Sequence, residues 1–446
     1  MEPSDRSRSA TPLTWIVLAA LAVWPAVHTI DLFSDRARAD DARGGIVREP
    51  VARSAQGVAD RQRARTSRRE PRAESRQAKP DRGRRPVARE RPRNRSKARQ
   101  EQAPAASTAA AKRPARGRRI PTVRGALRRA LRADKISGAR YRSYRATWER
   151  VRRAHGGDLA ALVAVASQLA RRDALWPSRM PAVFLQLRRN LEFARSGRSA
   201  RPGQRVTFGR DPLIFQYVAG HGFQLHPLGN FAEANRLRNA CVGYRTPPGA
   251  PCHKGALRRL LGRLARMAVR LPGFVTWEYL FPFGGGRAPW ISSMAQATAM
   301  QSLARAAKLL REQRYARLAR AARGAFEERP PRGVSLGHGR YTMYSFAPGL
   351  EVLNGVLQTV SGLYDYGELT GDGRGKRLFR AGDRYVRQIL PAFDTGSWSL
   401  YSRAGDAATR EYHRLTRNFL VNLCERTGRH AYCATSERFT RYLKAG

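Results

Sequence analysis

Residues 315–326 read YARLARAARGAF, residues 376–386 read KRLFRAGDRYV and residues 434–443 read ATSERFTRYL. In each, aromatic and aliphatic side chains recur at i, i+3 and i+4 among arginines, the pattern of a helix with one apolar and one basic face. Each stretch belongs to the second member of a helical pair: 295–311 with 314–328, 352–370 with 375–389, and 415–426 with 430–445. Successive pairs begin about 60 residues apart, longer than the usual solenoid repeat, because polar and aromatic loops intervene. The expected fold is mainly α, an incomplete α/α toroid of helical hairpins whose loops gather around a cleft at one end.

Upstream, residues 122–200 carry the same helical period, with Ala126, Leu127, Ala130 and Leu131 on one face and Asp158 as the expected N-cap of a later helix. Residues 205–218 (RVTFGRDPLIFQYV) break that period with β-branched and aromatic residues, which predicts a few short strands before the toroid. Residues 220–228 (GHGFQLHPL) read as a glycine-flanked loop presenting His221, Gln224 and His226. Helices follow at 230–240 and 255–269. Residues 274–290 (FVTWEYLFPFGGGRAPW) then form an aromatic and glycine-rich loop ending at Trp290. Flat aromatic faces suit sugar rings, and the alternative is ordinary core packing. The triple glycine is no phosphate loop, since no Gly-Lys-Ser/Thr follows it.

The N-terminal part has a different composition. Residues 13–27 (LTWIVLAALAVWPAV) are apolar and follow Arg6 and Arg8. About fifteen residues is short for a bilayer span of roughly 20 and fits a signal-peptide core, so 1–39 is read as a signal peptide or an uncleaved membrane anchor. The expected location is outside the cell, secreted or held at the membrane. Residues 40–120 are an Arg/Pro/Ala-rich linker with almost no large apolar side chains, expected to be disordered.

The formal net charge is +51. Residues 41–120 carry 25 basic and 8 acidic side chains, and residues 121–446 carry 56 and 21, so the excess is not confined to a tail. Such a chain favours a polyanionic partner, either an acidic polysaccharide or an anionic cell envelope. No aromatic-interleaved nucleic-acid motif is present, and no nucleic acid is expected as partner. A homodimer is left open. The four cysteines form two local pairs, which predicts Cys241–Cys252 and Cys424–Cys433 disulfides in an oxidising compartment. Neither pair has zinc-ligand spacing, and no metal site is expected.

Several short motifs occur in order: Met294-Ala295-Gln296, Pro348 with Val352-Leu353-Asn354-Gly355, Gly362-Leu363-Tyr364-Asp365, Phe393-Asp394-Thr395-Gly396-Ser397 with Tyr401, and Tyr412-His413. Together they resemble the C-terminal domain of D-glucuronyl C5-epimerases, most specifically over 290–446 within a domain of 121–446, and mark a bacterial exported member. The resemblance implies an α/α toroid that inverts C5 of glucuronic acid in a heparosan-like polymer, giving iduronic acid, an isomerase reaction. It implies catalytic tyrosines at Tyr344, Tyr401 and Tyr412. Two departures stand out. Met343 occupies the position where the family carries a glutamate, and the family's arginine after the Asp-Thr-Gly tyrosine corresponds to Arg403.

Epimerisation at C5 needs a base on one face of the sugar and an acid on the other, and no cofactor. A phenol with an ordinary pKa near 10 becomes a base only if a cation favours its phenolate. Arg403, Arg410 and Arg414 are the expected cations, and an arginine would also pair with the substrate carboxylate. Tyr412 and Tyr344 are the expected proton-transfer pair, with Tyr401 orienting the sugar. Arg403, Arg410, His413, Asn354, Gln296, Trp290, His221 and His226 are the expected substrate-binding set. Two other readings share these residues: a uronate polysaccharide lyase, which would expel the C4 substituent, and a non-catalytic binder of acidic envelope polymers.

Overall fold

The computed structural model describes residues 120–154 and 156–445, and those from Pro121 on belong to one packing unit. The expected signal or anchor segment and the linker up to residue 119 lie outside the described residues.

Four helices come first: α1 (Val123–Arg132), α2 (Gly138–Arg153), α3 (Gly157–Arg171) and α4 (Met180–Ala194). Thr122 and Ser137 cap α1 and α2 by accepting from Gly125 N and Arg140 N. The cap of α3 differs from expectation. Gly156, at φ 110°, occupies the N-cap position, and Asp158 sits inside the first turn, where its charge faces the helix dipole. A three-stranded antiparallel sheet follows, β1 (Arg205–Phe208), β2 (Asp211–Val218) and β3 (Gly222–Leu225). Residues 222–225 are therefore a buried strand rather than part of an exposed loop. Four residues, the first of them glycine, are too few to show a strand period. The outer edge of β3 is satisfied by side chains of α4: Asn190 donates to Phe223 O and accepts from Phe223 N, and Gln186 accepts from Leu225 N. These two residues are four apart and share one helix face.

The hairpins come next: α5 (Pro227–Ala240) with α6 (Lys254–Met267), then the β4 (Val269–Leu271) and β5 (Phe274–Thr276) pair, α7 (Ser293–Leu310) with α8 (Gln313–Ala322), the β6 (Ser335–Gly337) and β7 (Arg340–Tyr341) pair, α9 (Leu353–Thr370) with α10 (Gly373–Ile389), and α11 (Arg410–Thr427) with α12 (His430–Ala445). The first helices pack in succession, α5 on α7, α7 on α9 and α9 on α11, while α6, α8, α10 and α12 each cover their own partner. This two-layered arc of hairpins is the incomplete α/α toroid expected from the repeat. The inner pair α7 and α9 approach so closely that a Cβ on Gly362 would lie 2.7 Å from the Ala297 carbonyl oxygen.

At the C-terminal ends of the inner helices one carboxylate gathers the arc. Asp365 of α9 accepts from Gln301 and Arg305 of α7 and from Arg426 of α11, and Arg305 and Gln301 in turn bond Asn235 of α5. Both expected disulfides are present, Cys241–Cys252 after α5 and Cys424–Cys433 across the α11–α12 turn. Each closes a loop of about ten residues, so the loop-closure contribution is about 3 kcal/mol. We expect no free thiol in the oxidised protein, and Cys424→Ser with Cys433→Ser to lower the denaturant-derived unfolding free energy by about 2–3 kcal/mol. Four titratable thiols, or an unchanged unfolding midpoint, would contradict this.

Among the described residues no helix is long and apolar enough to cross a membrane.

Candidate active site

The loops that lead into α7, α9 and α11 are tied to one another by short bridges. Tyr279 pairs with Trp290, Ser292 with Tyr344, and Val352 with Ser402. Ser345 N donates to Ile291 O, Leu353 N to Tyr401 O and Arg403 N to Glu351 O. This lattice brings Tyr344, Tyr401 and Tyr279 to the N-terminal mouths of the inner helices. Tyr412 lies in the first turn of α11, its N–H directed at the capping Oγ1 of Thr409.

These residues form a second apolar cluster, apart from the main core, with Phe283, Met294, Met343, Leu350 and others. Tyr401 and Tyr412 meet edge to face with ring centroids 4.7 Å apart. Tyr344 packs against Trp290 at 5.2 Å and stacks on Phe346 at 5.6 Å. All three phenols are buried, with Tyr344 at 0% exposure and Tyr401 and Tyr412 at 3%. The three expected catalytic tyrosines, drawn from three separate segments, are thus brought together.

Burial is the main influence on them and raises the pKa of all three, since a phenolate loses its hydration there. Tyr344 is raised further by Tyr401, Tyr412 and Tyr279. The contact between Tyr401 and Tyr412 acts in opposite directions, lowering Tyr401 and raising Tyr412. Tyr401 is therefore the phenol that this contact helps to ionise.

The expected arginine assistance is not found in this arrangement. Arg403 is half-exposed and its NH1 lies 3.4 Å from Glu351, a carboxylate that also holds Arg340 and Tyr385. Arg410 is exposed and donates to Leu443 O. Arg414 is exposed as well. None of the three is among the charges acting on the tyrosines. On α11, Arg410 and Arg414 are four apart and share an outward face that Tyr412 does not.

The other expected contacts separate into two groups. His413 is fully buried beneath Trp398, with Nδ1 at 2.7 Å from Ser399 Oγ and Nε2 at 2.9 Å from Phe439 O. Gln296 spends its amide on the backbone of Trp277, Trp290 donates to Phe281 O, and His226 caps α5 through Gly229 N. Each of these four polar groups already makes a bond that holds the loops, and a sugar could reach it only by breaking that bond. Asn354 and His221 differ: Asn354 Nδ2 and His221 Nδ1 are buried without a hydrogen-bond partner. Met343, where the resemblance expects a glutamate, shares the floor of the cluster with Met294, both sulfurs lying within 3.6 Å of where a Cβ on Gly355 would be.

Tyr279 lies outside the expected set, yet it stacks on Trp290 at 4.1 Å and acts on Tyr344. The alternation Trp277, Tyr279, Phe281, Phe283 marks an extended segment with one aromatic face, and that period is the signal that singles it out.

Folded, these phenols keep their protons to higher pH than in the unfolded chain, and burial, helped by the Glu351 carboxylate, likewise pushes Tyr385 up to about 12. Their contribution to stability is complete below the unfolded value near pH 10 and is lost as pH rises toward the folded values. We expect stability to fall above about pH 10 by on the order of 1.4 kcal/mol per pH unit for each of the three buried phenols Tyr344, Tyr401 and Tyr412, and by less for the partly exposed Tyr385. Near-ultraviolet phenolate absorbance of the cluster should appear together with loss of helical circular dichroism. Ionisation of these phenols at an ordinary midpoint in the folded protein would contradict the burial argument.

Residues 273–441 match the family described as D-glucuronyl C5-epimerase C-terminus. The D-glucuronyl C5-epimerase of Caenorhabditis elegans is 33% identical over 128 residues, 25% of this chain and 21% of that protein. An uncharacterized protein of Methanocaldococcus jannaschii is 27% identical over 169 residues, 36% of this chain and 55% of that protein. The matches thus span about half or less of these relatives. Among solved structures, cellobiose 2-epimerase from Bacillus thermoamylovorans is similar at TM-score 0.38 and 10% identity, over 68% of this chain and 75% of that one. A D-mannose isomerase is similar at TM-score 0.37 and 11% identity, over 48% and 57%.

Proposed function

We propose that this protein is a C5-epimerase of uronic acid residues in an acidic polysaccharide, converting glucuronate to iduronate. The observation that carries the reading is the convergence of Tyr344, Tyr401 and Tyr412 from three loops into one buried cluster, within the segment that matches the epimerase family. A proton leaves C5 on one face of the ring and returns on the other, so two acid–base groups must flank the sugar. Tyr401, the phenol favoured by its neighbour, is the better base. Tyr344, held protonated by burial and by three nearby phenols, is the better acid. Tyr412 sets the acidity of Tyr401 by contact. The N-terminal ends of α9 and α11 carry partial positive charge, and the unpartnered Asn354 amide is a donor; both suit the substrate carboxylate as negative charge builds on it. The two disulfides favour an exported protein.

The experiment is incubation with heparosan in deuterium oxide. The expected result is deuterium at C5 and iduronate in the product with chain length unchanged. Unsaturated uronate ends with a shortening chain would replace this reading with a lyase, and absence of label from every glucuronate polymer tried would leave only binding.

A further inference from the structure

We propose that the groove between α2, α4 and α6 is a second, anion-binding site that holds a stretch of acidic polysaccharide away from the tyrosine cluster. The groove has a volume of about 750 Å³, and none of its lining residues is acidic. Its basic lining comprises Lys135, Arg140, Arg188, Arg263, Arg266 and Arg270. Arg263 is paired with Asp211 at 2.6 Å, and Arg188 reaches Glu192 only at 3.8 Å. Lys135, Arg140, Arg266 and Arg270 make no ion pair among the described residues, and all four are exposed. Four unpaired cations around one recess repel each other unless an anion enters.

The walls favour a sugar chain over other polyanions. Tyr144 lies stacked on Phe184 with ring centroids 4.4 Å apart, and the charges of Arg140 and Arg188 both act on its phenol. The Trp176 indole is fixed by its bond to Asp173 O and covered on one side by the Arg179 guanidinium at 4.4 Å. Flat rings beside cations in a recessed channel suit pyranose rings bearing carboxylates. A lipid surface would need a protruding face. The groove lies outside residues 273–441, yet it is joined to the tyrosine cluster: Arg179, lying over Trp176, bonds Glu278, the residue next to Tyr279. That the anion is a uronate rests on the function proposed above; the charge of the groove does not.

Lys135 allows a local test in a chain whose overall charge binds any polyanion. A water-soluble carbodiimide joins a uronate carboxylate to a nearby lysine amine as an amide, and peptide mapping locates the bond. With a heparosan oligosaccharide on the full-length protein, the adduct should concentrate at Lys135 by on the order of tenfold over the exposed Lys254, Lys308 and Lys444. Arg140→Glu with Arg266→Glu should reduce the Lys135 adduct about tenfold while circular dichroism and melting stay as in the parent. Arg140→Gln with Arg266→Gln serves if the reversal perturbs folding. Equal labelling of the four lysines, or a Lys135 adduct indifferent to both double variants, would overturn the proposal. So would duplex DNA or phosphatidylglycerol vesicles that displace the oligosaccharide from Lys135 better than unlabelled heparosan does at matched charge. C5 deuterium measured on the same samples separates the two ideas. A Lys135 adduct without exchange removes the epimerase reading and leaves the groove, and exchange without a preferred adduct removes the groove alone.

Discussion

Tyr412→Phe is expected to lose C5 exchange by about 10²–10⁴-fold while binding heparosan within about twofold of the parent. The phenyl ring remains, so its edge-to-face contact with Tyr401 at 4.7 Å persists and the cluster stays packed. What disappears is the hydroxyl that lowers Tyr401, and with it the one influence on Tyr344, Tyr401 and Tyr412 that favours a phenolate. Removing one buried hydroxyl costs on the order of 1 kcal/mol of stability, too little to unfold a domain and so too little to account for lost exchange. Single-turnover exchange and direct binding, measured on the same preparation, check this. A variant that exchanges at the parental rate would remove Tyr412 from the reaction, and one that no longer binds polymer would make it a binding residue instead.

Glu278→Ala is expected to cost about 3–5 kcal/mol in unfolding free energy, a larger loss than opening the Cys424–Cys433 disulfide. Glu278 and Arg179 form a two-point ion pair at 2.6 and 2.8 Å with side chains 6% and 3% exposed. Arg179 also bonds the Ala174 carbonyl. Cutting away the carboxylate leaves a guanidinium buried with no counter-charge. Replacing both members, Arg179→Met with Glu278→Leu, should recover most of the loss, because the cost lies in the abandoned charge rather than in the pair itself. Chemical denaturation of the parent and both variants decides it. A single variant no less stable than the double one would contradict the account.

The hairpins are legible in the sequence because their period is long and regular. The ends expected for the helices of 295–370 fall within a few residues of those observed, although the second of them finishes in a 3₁₀ turn at Arg323–Phe326. Short elements are not legible: β3, which begins on Gly222 and runs into His226-Pro227, has the composition of a loop, and Asp158 has the look of a cap because nothing local tells a first-turn aspartate from an N-cap one. In the site, the convergence of the tyrosines follows from motif order. The roles of Gln296, Trp290, His226 and His413 do not, since a polar or aromatic residue in a loop reads the same whether it faces a ligand or bonds a backbone amide. Asp365 illustrates the limit further. Its three partners come from two helices separated by more than a hundred positions, and no local pattern announces them.

The strand pair β4–β5 bears on whether the family segment can live alone. Its boundary at residue 273 falls between Leu271 and Phe274, in the turn of that pair, so excision there would separate two hydrogen-bonded strands and discard α5, against which α7 packs. The recognisable sequence is therefore narrower than the smallest inheritable piece of structure. A module cut from this chain has to begin upstream of the sheet, and a fragment begun at residue 273 should be recovered as an insoluble or partly folded chain.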